Sequence, residues 1–509
     1  MCGNHQFRWN ILFNVILWIL LPLPFVLPLL HQYIPILWSV TSLFAIQAAF
    51  SLCWLIVALL SVFTYCKIYL NRNTRASQYR YTHLVCMAAY KEPLDLLITT
   101  IESLSKQTEV ADTVLAVGFE ERTPDIQLKE ESIRSLFGLY FKKIIVTVHP
   151  YGVEGEIPGK ASNNNYALRK AEKILSADGI NTDEILVTTC DADNKFHPKY
   201  LEMLAYRFAT TNDPHNALYQ SPLLYNWRLD ELSLVTRVTG ILRACLMMGA
   251  LIPCNINTMS VFSYSGKLMK QGGFVHPEYQ MDDIICLIRF MGITKKTIRV
   301  ICVPVFNLSG PTSGRVIEEE LIEWARQARR WTIGAAEVFH YFLVKSHGIP
   351  LLTSLSWGIS FILYYCILLC GSSFYSLILG ISFLIFQSPP QFLIPFIPPP
   401  HFLSPYISML SLSALGLTYL TNAIFFFIDW KAPLLLHPKP VERISFIRNF
   451  FHFLASPLVV LAYSVVELYA LHELLILGRR VCKHGASKKD TLEINCKVGI
   501  NNNAFVPDV

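Results

Sequence analysis

Hydrophobic residues in this 509-residue chain form two blocks that flank a more polar middle. Almost uncharged stretches lie at residues 11–31 and 35–69, and after the middle at 350–371, 373–388, 404–428 and 450–477. A hydrocarbon core about 30 Å thick requires about 20 apolar residues in a helix. The pattern therefore predicts an integral membrane protein with several spans. The stretch 373–388 is short and could re-enter the membrane, which leaves the number of C-terminal spans open.

The polar middle, from about residue 81 to 341, alternates strand-like with helix-like segments. Apolar β-branched runs predict strands, and helical spacing of apolar residues predicts the helices between them. The predicted strands cover 84–88, 111–117, 144–148 and 184–190, and the predicted helices cover 94–107 and 165–177. This rhythm predicts a mainly parallel sheet covered by helices. Ligands bind at the carboxyl ends of the strands in such sheets, where Tyr90, Glu120 and Asp191 fall.

Basic residues near the apolar stretches predict how the chain is oriented. Arg8 precedes the first stretch, and further basic residues follow the second at 67–80 and the last at 479–489. Because basic flanks favour the cytosolic side, the amino terminus, the polar domain and the tail are predicted to face the cytosol. The pattern does not distinguish the plasma membrane from the Golgi membrane. The basic segment 429–448 would then face outward, unless it lies along the membrane surface or one C-terminal span is re-entrant.

The predicted division of the chain follows from these patterns. Residues 1–79 hold two transmembrane helices, 80–335 the α/β domain, 336–478 an interfacial segment with about four transmembrane helices, and 479–509 a basic cytosolic tail. The apolar helix predicted at 238–252 is expected to lie on the membrane.

Charge and cysteine usage exclude several classes of protein. The net charge of +6 is explained by the basic flanks of the spans, so no nucleic-acid partner is implied. The 13 cysteines are scattered without a C-x-x-C pair. Their spacing argues against a zinc site or a disulfide framework and fits a reducing cytosol.

Two carboxylates follow the predicted strand 184–190, in the sequence Asp191-Ala192-Asp193. On a strand-to-loop bend, both can turn toward one divalent cation. Hard oxygen ligands favour Mg²⁺ or Mn²⁺, which typically bridge to substrate phosphates. Asp193, with Asp191 beside it, is therefore the predicted metal site.

Two further motifs lie at helix positions that suit catalysis. Asp283, after Asp282, begins a predicted helix, where the helix dipole favours a carboxylate that could act as a general base. Gln327, Arg330 and Trp331 fall on one face of a helix that starts near residue 317. Arg330 could pair with diphosphate oxygens and Trp331 could stack on an acceptor sugar. An amphipathic helix on the membrane surface, anchored by its tryptophan, is the alternative interpretation.

The motifs together resemble the inverting family 2 glycosyltransferases, in particular the membrane branch with cellulose, chitin and hyaluronan synthases. The resemblance covers roughly residues 80–345 and rests on five motifs in the family's order: Tyr90-Lys91-Glu92, Gly159-Lys160-Ala161-Ser162-Asn163, Asp191-Ala192-Asp193, Met281-Asp282-Asp283 and Gln327-Ala328-Arg329-Arg330-Trp331. It implies a GT-A-like fold, a Rossmann-like mixed and mainly parallel sheet, inserted between the transmembrane helices. Two positions depart from the family pattern: Glu120 stands where a pair of aspartates usually binds the nucleoside, and Asp282 replaces a glutamate.

The resemblance also implies roles for individual residues. Catalysis would fall to Asp283 together with Asp282, acceptor binding to Trp331, and metal binding to Asp193 and Asp191. The donor would be bound by Tyr90, Glu92, Glu120, Lys160, Asn163, Asp191, Gln327 and Arg330.

The resemblance implies a hexosyltransferase that uses a nucleotide sugar, UDP-linked by family precedent, to extend a polysaccharide. Its partners would be the donor, a glycan or lipid acceptor, and membrane lipids. Non-processive transfer to a sphingolipid or polyprenyl phosphate is the alternative, and a transporter with an inactive transferase-like domain is a third possibility. In the tail, Gly485, Lys488 and Lys489 could form a loop that folds over the active site, or could only anchor the last span.

Overall fold

A computed structural model describes residues 15, 19, 40–72, 74, 76, 78–225, 232–310, 316–373, 405–436 and 444–477. Nearly all of the first predicted span and of the 373–388 stretch, and the basic tail with Lys488 and Lys489, lie outside the described residues.

In the described part of the polar middle, ten strands form two sheets. They are β1 His83–Ala89, β2 Thr113–Glu120, β3 Lys143–His149, β4 Leu186–Asp191, β5 Asn194–Lys195, β6 Ala217–Gln220, β7 Leu223–Leu224, β8 Phe262–Ser265, β9 Arg299–Cys302 and β10 Asn307–Ser309. The main sheet has seven strands in the order β3-β2-β1-β4-β8-β6-β9, and β5, β10 and β7 form a small second sheet.

The four predicted strands are all present, side by side and parallel. β2 pairs with β3 on one side and β1 on the other, and β1 pairs with β4. The prediction of a mainly parallel α/β sheet is confirmed for this half. The other half is mixed, because β8 runs antiparallel to both of its neighbours, β4 and β6.

Among the described residues, twelve α-helices precede, surround or follow the sheets. They are α1 Val40–Asn71, α2 Leu94–Ser105, α3 Ile126–Phe137, α4 Lys160–Ala177, α5 Tyr200–Thr210, α6 Leu234–Leu246, α7 Gly266–Gln271, α8 Asp282–Thr294, α9 Ile317–Lys345, α10 Leu351–Ile362, α11 Pro405–Lys431 and α12 Phe446–Leu477. Wider π-helical turns extend α6 through Met247–Leu251 and α10 through Leu363–Gly371. Short 3-10 turns cover Val110–Asp112, Pro214–Asn216, Ser346–Gly348 and Ala432–Leu435.

Burial explains why the central strands form where they do. Every residue of β1 and of β2 is buried, as expected for parallel strands covered on both faces. α4 packs on β1, β2 and β3 through buried apolar residues that include Leu168 and Leu175. α4 begins at Lys160, five residues before the predicted start at Asn165, so Lys160 and Asn163 belong to the first turn of a helix and not to a loop.

Three of the described helical segments are long and apolar enough to cross a membrane: Gln47–Asn71, Leu234–Leu251 and Phe446–Leu477. The segment Leu234–Leu251 was expected to lie on the membrane surface, yet 78% of it is buried inside the protein. It is covered because α1, α9, α11 and α12 all pack against it. The apolar side chains of this segment therefore pack mainly inside the protein.

The two ends of the basic segment 429–448 lie against α6. The buried guanidinium of Arg237 in α6 pairs with Asp429 Oδ2 at 2.9 Å and donates to Asn449 Oδ1 at 2.8 Å. Arg448 donates to the carbonyl oxygen of Leu232, just before α6, at 2.6 Å. These contacts place the start and the end of the segment beside α6.

Candidate active site

A large cleft lies at the edge of the main sheet where β1, β2 and β4 end. It encloses about 1300 Å³ of empty space, including the solvent at its mouth. All twelve residues predicted from the sequence line it: Tyr90, Glu92, Glu120, Lys160, Asn163, Asp191, Asp193, Asp282, Asp283, Gln327, Arg330 and Trp331. One wall consists of strand ends and the first turns of α4 and α8, and will be called the strand wall. The opposite wall consists of α6 and α9, and will be called the helix wall.

Lys160 joins two of the predicted motifs on the strand wall. Its Nζ lies 2.8 Å from Asp191 Oδ1 and 2.8 Å from Asp282 Oδ1. Asn164, one turn further along α4, donates to the other carboxylate oxygen of Asp282 at 2.7 Å. Burial opposes the charge on Lys160, but the surrounding carboxylates, Asp191 foremost, hold its pKa well above its usual value. Lys160 is therefore a fixed positive charge at the bottom of the cleft.

Asn163 ties two strand ends together. Its Nδ2 donates to Gly118 O in β2 at 2.8 Å and, at 3.4 Å, to Ala89 O in β1. The approach requires a glycine in β2, because a Cβ at Gly118 would lie 2.6 Å from Asn163 Oδ1. The amide thus positions the strand ends beneath the cleft, a role that the sequence motif did not predict.

The aspartate pair after β4 lies on a bend of the backbone that hydrogen bonds fix in place. The backbone N–H of Asp191 donates to Asn194 Oδ1 at 2.7 Å and to Ser260 Oγ at 3.1 Å. Gly310 donates its N–H to Asp193 O at 2.9 Å. It also packs so close that a Cβ there would lie 2.8 Å from Asp193 Oδ2. The side chain of Asp193 is 4% exposed.

These residues fit a Mg²⁺ or Mn²⁺ ion of the kind that the sequence predicts. Because Gly310 has no side chain, the position that a Cβ would fill beside the Asp193 carboxylate stays open. Asp191 supplies further hard oxygens. Within the described ranges, no cluster of three or more His, Cys, Asp or Glu residues could hold a metal. Two carboxylates are sufficient for Mg²⁺, which is usually bound by one or two carboxylates together with substrate phosphates.

The two aspartates at the start of α8 have different surroundings. Asp282 is fully buried and held by Lys160 and Asn164, so its carboxylate orients Lys160. Asp283 faces the cleft, and its backbone is fixed by Thr258 Oγ1, which donates to Asp283 O at 2.6 Å. Burial, aided by the neighbouring carboxylates of Asp282 and Asp191, raises the pKa of Asp283 to about 6. A carboxylate with this pKa is well suited to accept a proton near neutral pH.

On the helix wall, Trp324, Gln327, Arg330 and Trp331 share one face of α9, as their spacing predicts. Arg330 is partly buried, and its Nε is buried without a hydrogen-bond acceptor among the described residues. Burial lowers the pKa of Arg330, while the facing carboxylates of Asp191, Asp283 and Asp193 oppose that shift. A guanidinium with an unused donor beside these carboxylates is suited to bind phosphate oxygens.

The ring of Trp331 already has one neighbour. The guanidinium carbon of Arg243, from α6, lies 3.2 Å from the centre of the ring. One face of the indole is therefore occupied by a cation, so a sugar could stack only on the other face.

The predicted nucleoside end of the cleft is formed by the loops after β1 and β2. The Tyr90 N–H donates to Glu92 Oε2 at 2.7 Å, and this bond closes the turn that follows β1. Lys129 donates to the carbonyl oxygen of Glu92 at 3.0 Å. Glu120 is the last residue of β2 and is buried, and burial raises its pKa. A carboxyl group in this position can bind a base N–H or a ribose hydroxyl.

Sequence reasoning missed Arg243 and Tyr225, which also line the cleft. The available signal for Arg243 was an arginine in a largely apolar helix, since such residues often mark a functional interior. Tyr225 carried no signal, because its place beside Arg243 depends on how α6 packs on β7.

No model of a known protein family matches the chain. No curated protein matches it either.

Similar solved structures include three proteins of low sequence identity. A mannosyltransferase from Pyrobaculum calidifontis, in complex with GDP-Man and Mn²⁺, has a TM-score of 0.41 and 11% identity, over 75% of this chain and 98% of its own. Glucosyl-3-phosphoglycerate synthase from Mycobacterium tuberculosis, with Mn²⁺, UDP and phosphoglyceric acid, has a TM-score of 0.30 and 17% identity, over 54% and 81%. TarS from S. aureus has a TM-score of 0.30 and 14% identity, over 66% and 54%. The likeness is distant, so function is inferred from the site itself.

Proposed function

We propose that this chain is a membrane-embedded, GT-A-like inverting glycosyltransferase that moves a hexose from a nucleotide sugar to an acceptor hydroxyl. The observation that carries the proposal is the placement of Asp283. This buried carboxylate faces one cleft with the aspartate pair after β4 and with two cations, Lys160 and Arg330. Sugar transfer from a diphosphate requires such a set: a base on one side and positive charge around the leaving group on the other.

The donor diphosphate would lie between Asp193 and Arg330. Asp193 and Asp191 would hold Mg²⁺ or Mn²⁺, which supplies positive charge to the diphosphate oxygens when bound. Arg330 offers its unused Nε donor to the same oxygens. Lys160, fixed by Asp191 and Asp282, adds a positive charge that needs no rearrangement during the reaction. By family precedent the donor is UDP-linked, with Glu120 near the nucleoside.

Asp283 would act on the acceptor. It takes the proton of the acceptor hydroxyl as the oxygen bonds to the anomeric carbon, while the bond from that carbon to the diphosphate oxygen breaks on the opposite face. The leaving group departs as a nucleoside diphosphate, and the proton remains on the Asp283 carboxyl. One base and no protein nucleophile give a product of inverted configuration.

Two classes of acceptor are compatible with this chemistry, a polysaccharide and a lipid. The family resemblance favours a growing polysaccharide. A second cavity beyond Asp283 favours the alternative, a lipid acceptor, because aliphatic and aromatic side chains form most of its lining. These include Trp54, Tyr365 and Val460, which belong to helices of the predicted membrane region.

Nucleotide release by the purified full-length protein tests this function. The protein in nanodiscs is incubated with UDP- and GDP-sugars, Mn²⁺ and a membrane lipid extract, beside the Asp283→Asn variant. Release of nucleoside diphosphate from at least one donor is expected in the wild type and not in the variant. Labelled product that partitions into organic solvent identifies a lipid acceptor, and a high-molecular-weight product identifies a polysaccharide. No release from any donor by inserted, folded protein would contradict the proposal and favour a transporter with an inactive domain.

A further inference from the structure

A second cavity continues from the cleft past Asp283 into the helical part of the protein. It encloses about 730 Å³ and is bounded by α1, α6, α9, the π-helical turns after α10, and α12. Asp283, Arg243 and Trp331 line both spaces. The second cavity therefore reaches the proposed base, but the aspartate pair after β4 does not line it.

Arg243 stands at the junction of the two spaces with a buried donor that the described residues leave unused. Beyond its stacking on Trp331, its guanidinium approaches the Tyr225 ring centre to 5.6 Å and the Met259 sulfur to 4.0 Å. The Asp283 carboxylate interacts with its charge, yet the Nε of Arg243 is buried without a hydrogen-bond acceptor among the described residues. A buried donor without an acceptor is costly, so the site is suited to a ligand that brings a negatively charged acceptor group.

Asn257 gives a second, independent indication of a ligand. It is 1% exposed and lines the second cavity. Its Nδ2 donates to Thr258 O at 3.1 Å and, at 3.4 Å, to Tyr365 Oη, but its Oδ1 has no donor among the described residues. Buried amide oxygens are rarely left unpaired. A hydroxyl of a bound molecule would satisfy it, close to Asp283, whose carbonyl is held by Thr258.

Apolar side chains, among them Leu242, Leu246, Leu369 and Val460, form most of the remaining lining, to which Glu467 of α12 adds one buried carboxylate. A ligand that fills the whole space would need an apolar part there, an anionic group at Arg243, and a hydroxyl near Asn257.

We infer that the second cavity binds the acceptor and that this acceptor is an anionic amphiphile. Its phosphate or carboxylate pairs with Arg243, its apolar chain lies between the helices, and its hydroxyl reaches Asp283. The last step rests on the proposed function, whereas the binding mode does not. The two cations of the helix wall then bind different substrates: Arg330 binds the donor and Arg243 binds the acceptor.

Calorimetric titration of the full-length protein in phosphatidylcholine nanodiscs, with empty nanodiscs as the blank, tests the binding mode without any sugar donor. The probes are dodecyl phosphate, dodecyl glucuronide, uncharged dodecyl glucoside and tail-less methyl phosphate. We expect the better of the two anionic dodecyl probes to bind at least tenfold more tightly than dodecyl glucoside, as for a charge-assisted contact. The stronger of the two identifies the acidic group, and methyl phosphate should bind much more weakly than dodecyl phosphate.

Two variants separate the arginines. Arg243→Gln should remove the preference for the anionic probes and leave nucleotide binding unchanged, while Arg243→Lys keeps most of the preference and controls for folding. Arg330→Gln should show the reverse pattern. Equal binding of charged and uncharged probes by the wild type, or of dodecyl and methyl phosphate, would overturn the inference. Parallel loss of nucleotide binding in Arg243→Gln would do so as well, since Arg243 would then belong to the donor site. None of these results depends on whether nucleotide release is observed.

Discussion

The two walls of the cleft hold their charges in opposite ways. On the strand wall, Lys160 lies between Asp191 and Asp282, so charged groups of the protein neutralise one another. On the helix wall, Arg330 and Arg243 each carry a buried Nε without an acceptor among the described residues. The strand wall is therefore preorganised in the absence of ligand, whereas the arginines of the helix wall keep unused donors that a ligand oxygen can satisfy.

The difference has a structural origin. Parallel strands fix their carboxyl ends through the ladder, and short side chains on these ends need little further support. The helix wall depends on packing with the C-terminal helices: Arg329 of α9 pairs with Glu473 of α12 at 2.5 Å, and Trp324 donates to Thr239 of α6 at 2.9 Å. Its geometry is thus coupled to the predicted membrane region.

The largest effect is expected at the junction of the two walls. Asp283→Asn removes the proposed base but keeps the size of the side chain, so transfer should fall by about 10²–10⁴-fold. Nucleotide affinity should stay close to wild type, because the base acts on the acceptor. Turnover and nucleotide titration on the same preparation check this. Collapse of both would place Asp283 among the donor or metal ligands.

The strand wall can be disrupted at its proposed metal site. Asp193→Ala should reduce transfer by at least about 100-fold, because the diphosphate loses the charge that Mg²⁺ or Mn²⁺ supplies. Excess EDTA should reproduce this loss in the wild type, and added Mn²⁺ should restore only the wild type. Undiminished wild-type turnover in excess chelator would refute the metal role of Asp193 and Asp191.

Adjacent arginines on α9 separate the cleft face of the helix wall from its outer face. Arg330→Gln should weaken nucleotide binding about tenfold or more, because it removes a charge-assisted contact. Arg329→Gln is the matched control. Its partly exposed pair with Glu473 contributes at most about 1 kcal/mol, so nucleotide affinity should change little. Equal losses in both variants would mean that the helix needs its charge for packing only.

The pKa of Asp283 predicts the smallest effect, a pH profile. The base must be ionised to act, and burial raises its pKa to about 6. Transfer under kcat/KM conditions should therefore be constant well above pH 6 and fall by about tenfold for each pH unit below it. The residual activity of Asp283→Asn should lack this limb. A wild-type limb near pH 4, where an ordinary aspartate titrates, would contradict the assignment.

The strand wall could be predicted from the sequence because its residues follow strands. Apolar β-branched runs located β1, β2, β3 and β4, and the rule that ligands bind at strand ends brought Tyr90, Glu120 and Asp191 to one edge. The antiparallel strand β8 could not be predicted in this way, since its four residues carry no pattern distinct from a loop.

Only part of the helix wall could be predicted from the sequence. Spacing on one helix placed Gln327, Arg330 and Trp331 on a common face. The stacking of Arg243 on Trp331 joins residues 88 positions apart on different helices, and only the packing of α6 against α9 decides it. The apolar composition of α6 favoured a membrane surface, where the structure shows a buried segment, because apolar residues are equally suited to either environment.

The anomeric configuration of the product tests most directly whether one base works opposite the departing diphosphate. Once a donor with an α-linked sugar is identified, ¹H NMR of the product, recorded early in the reaction, reports the configuration of the new bond. The account predicts a β-linked product, formed by the wild type and at least about 100-fold more slowly by Asp283→Asn. An α-linked product would contradict it, because retention requires a second displacement or a different geometry around the anomeric carbon.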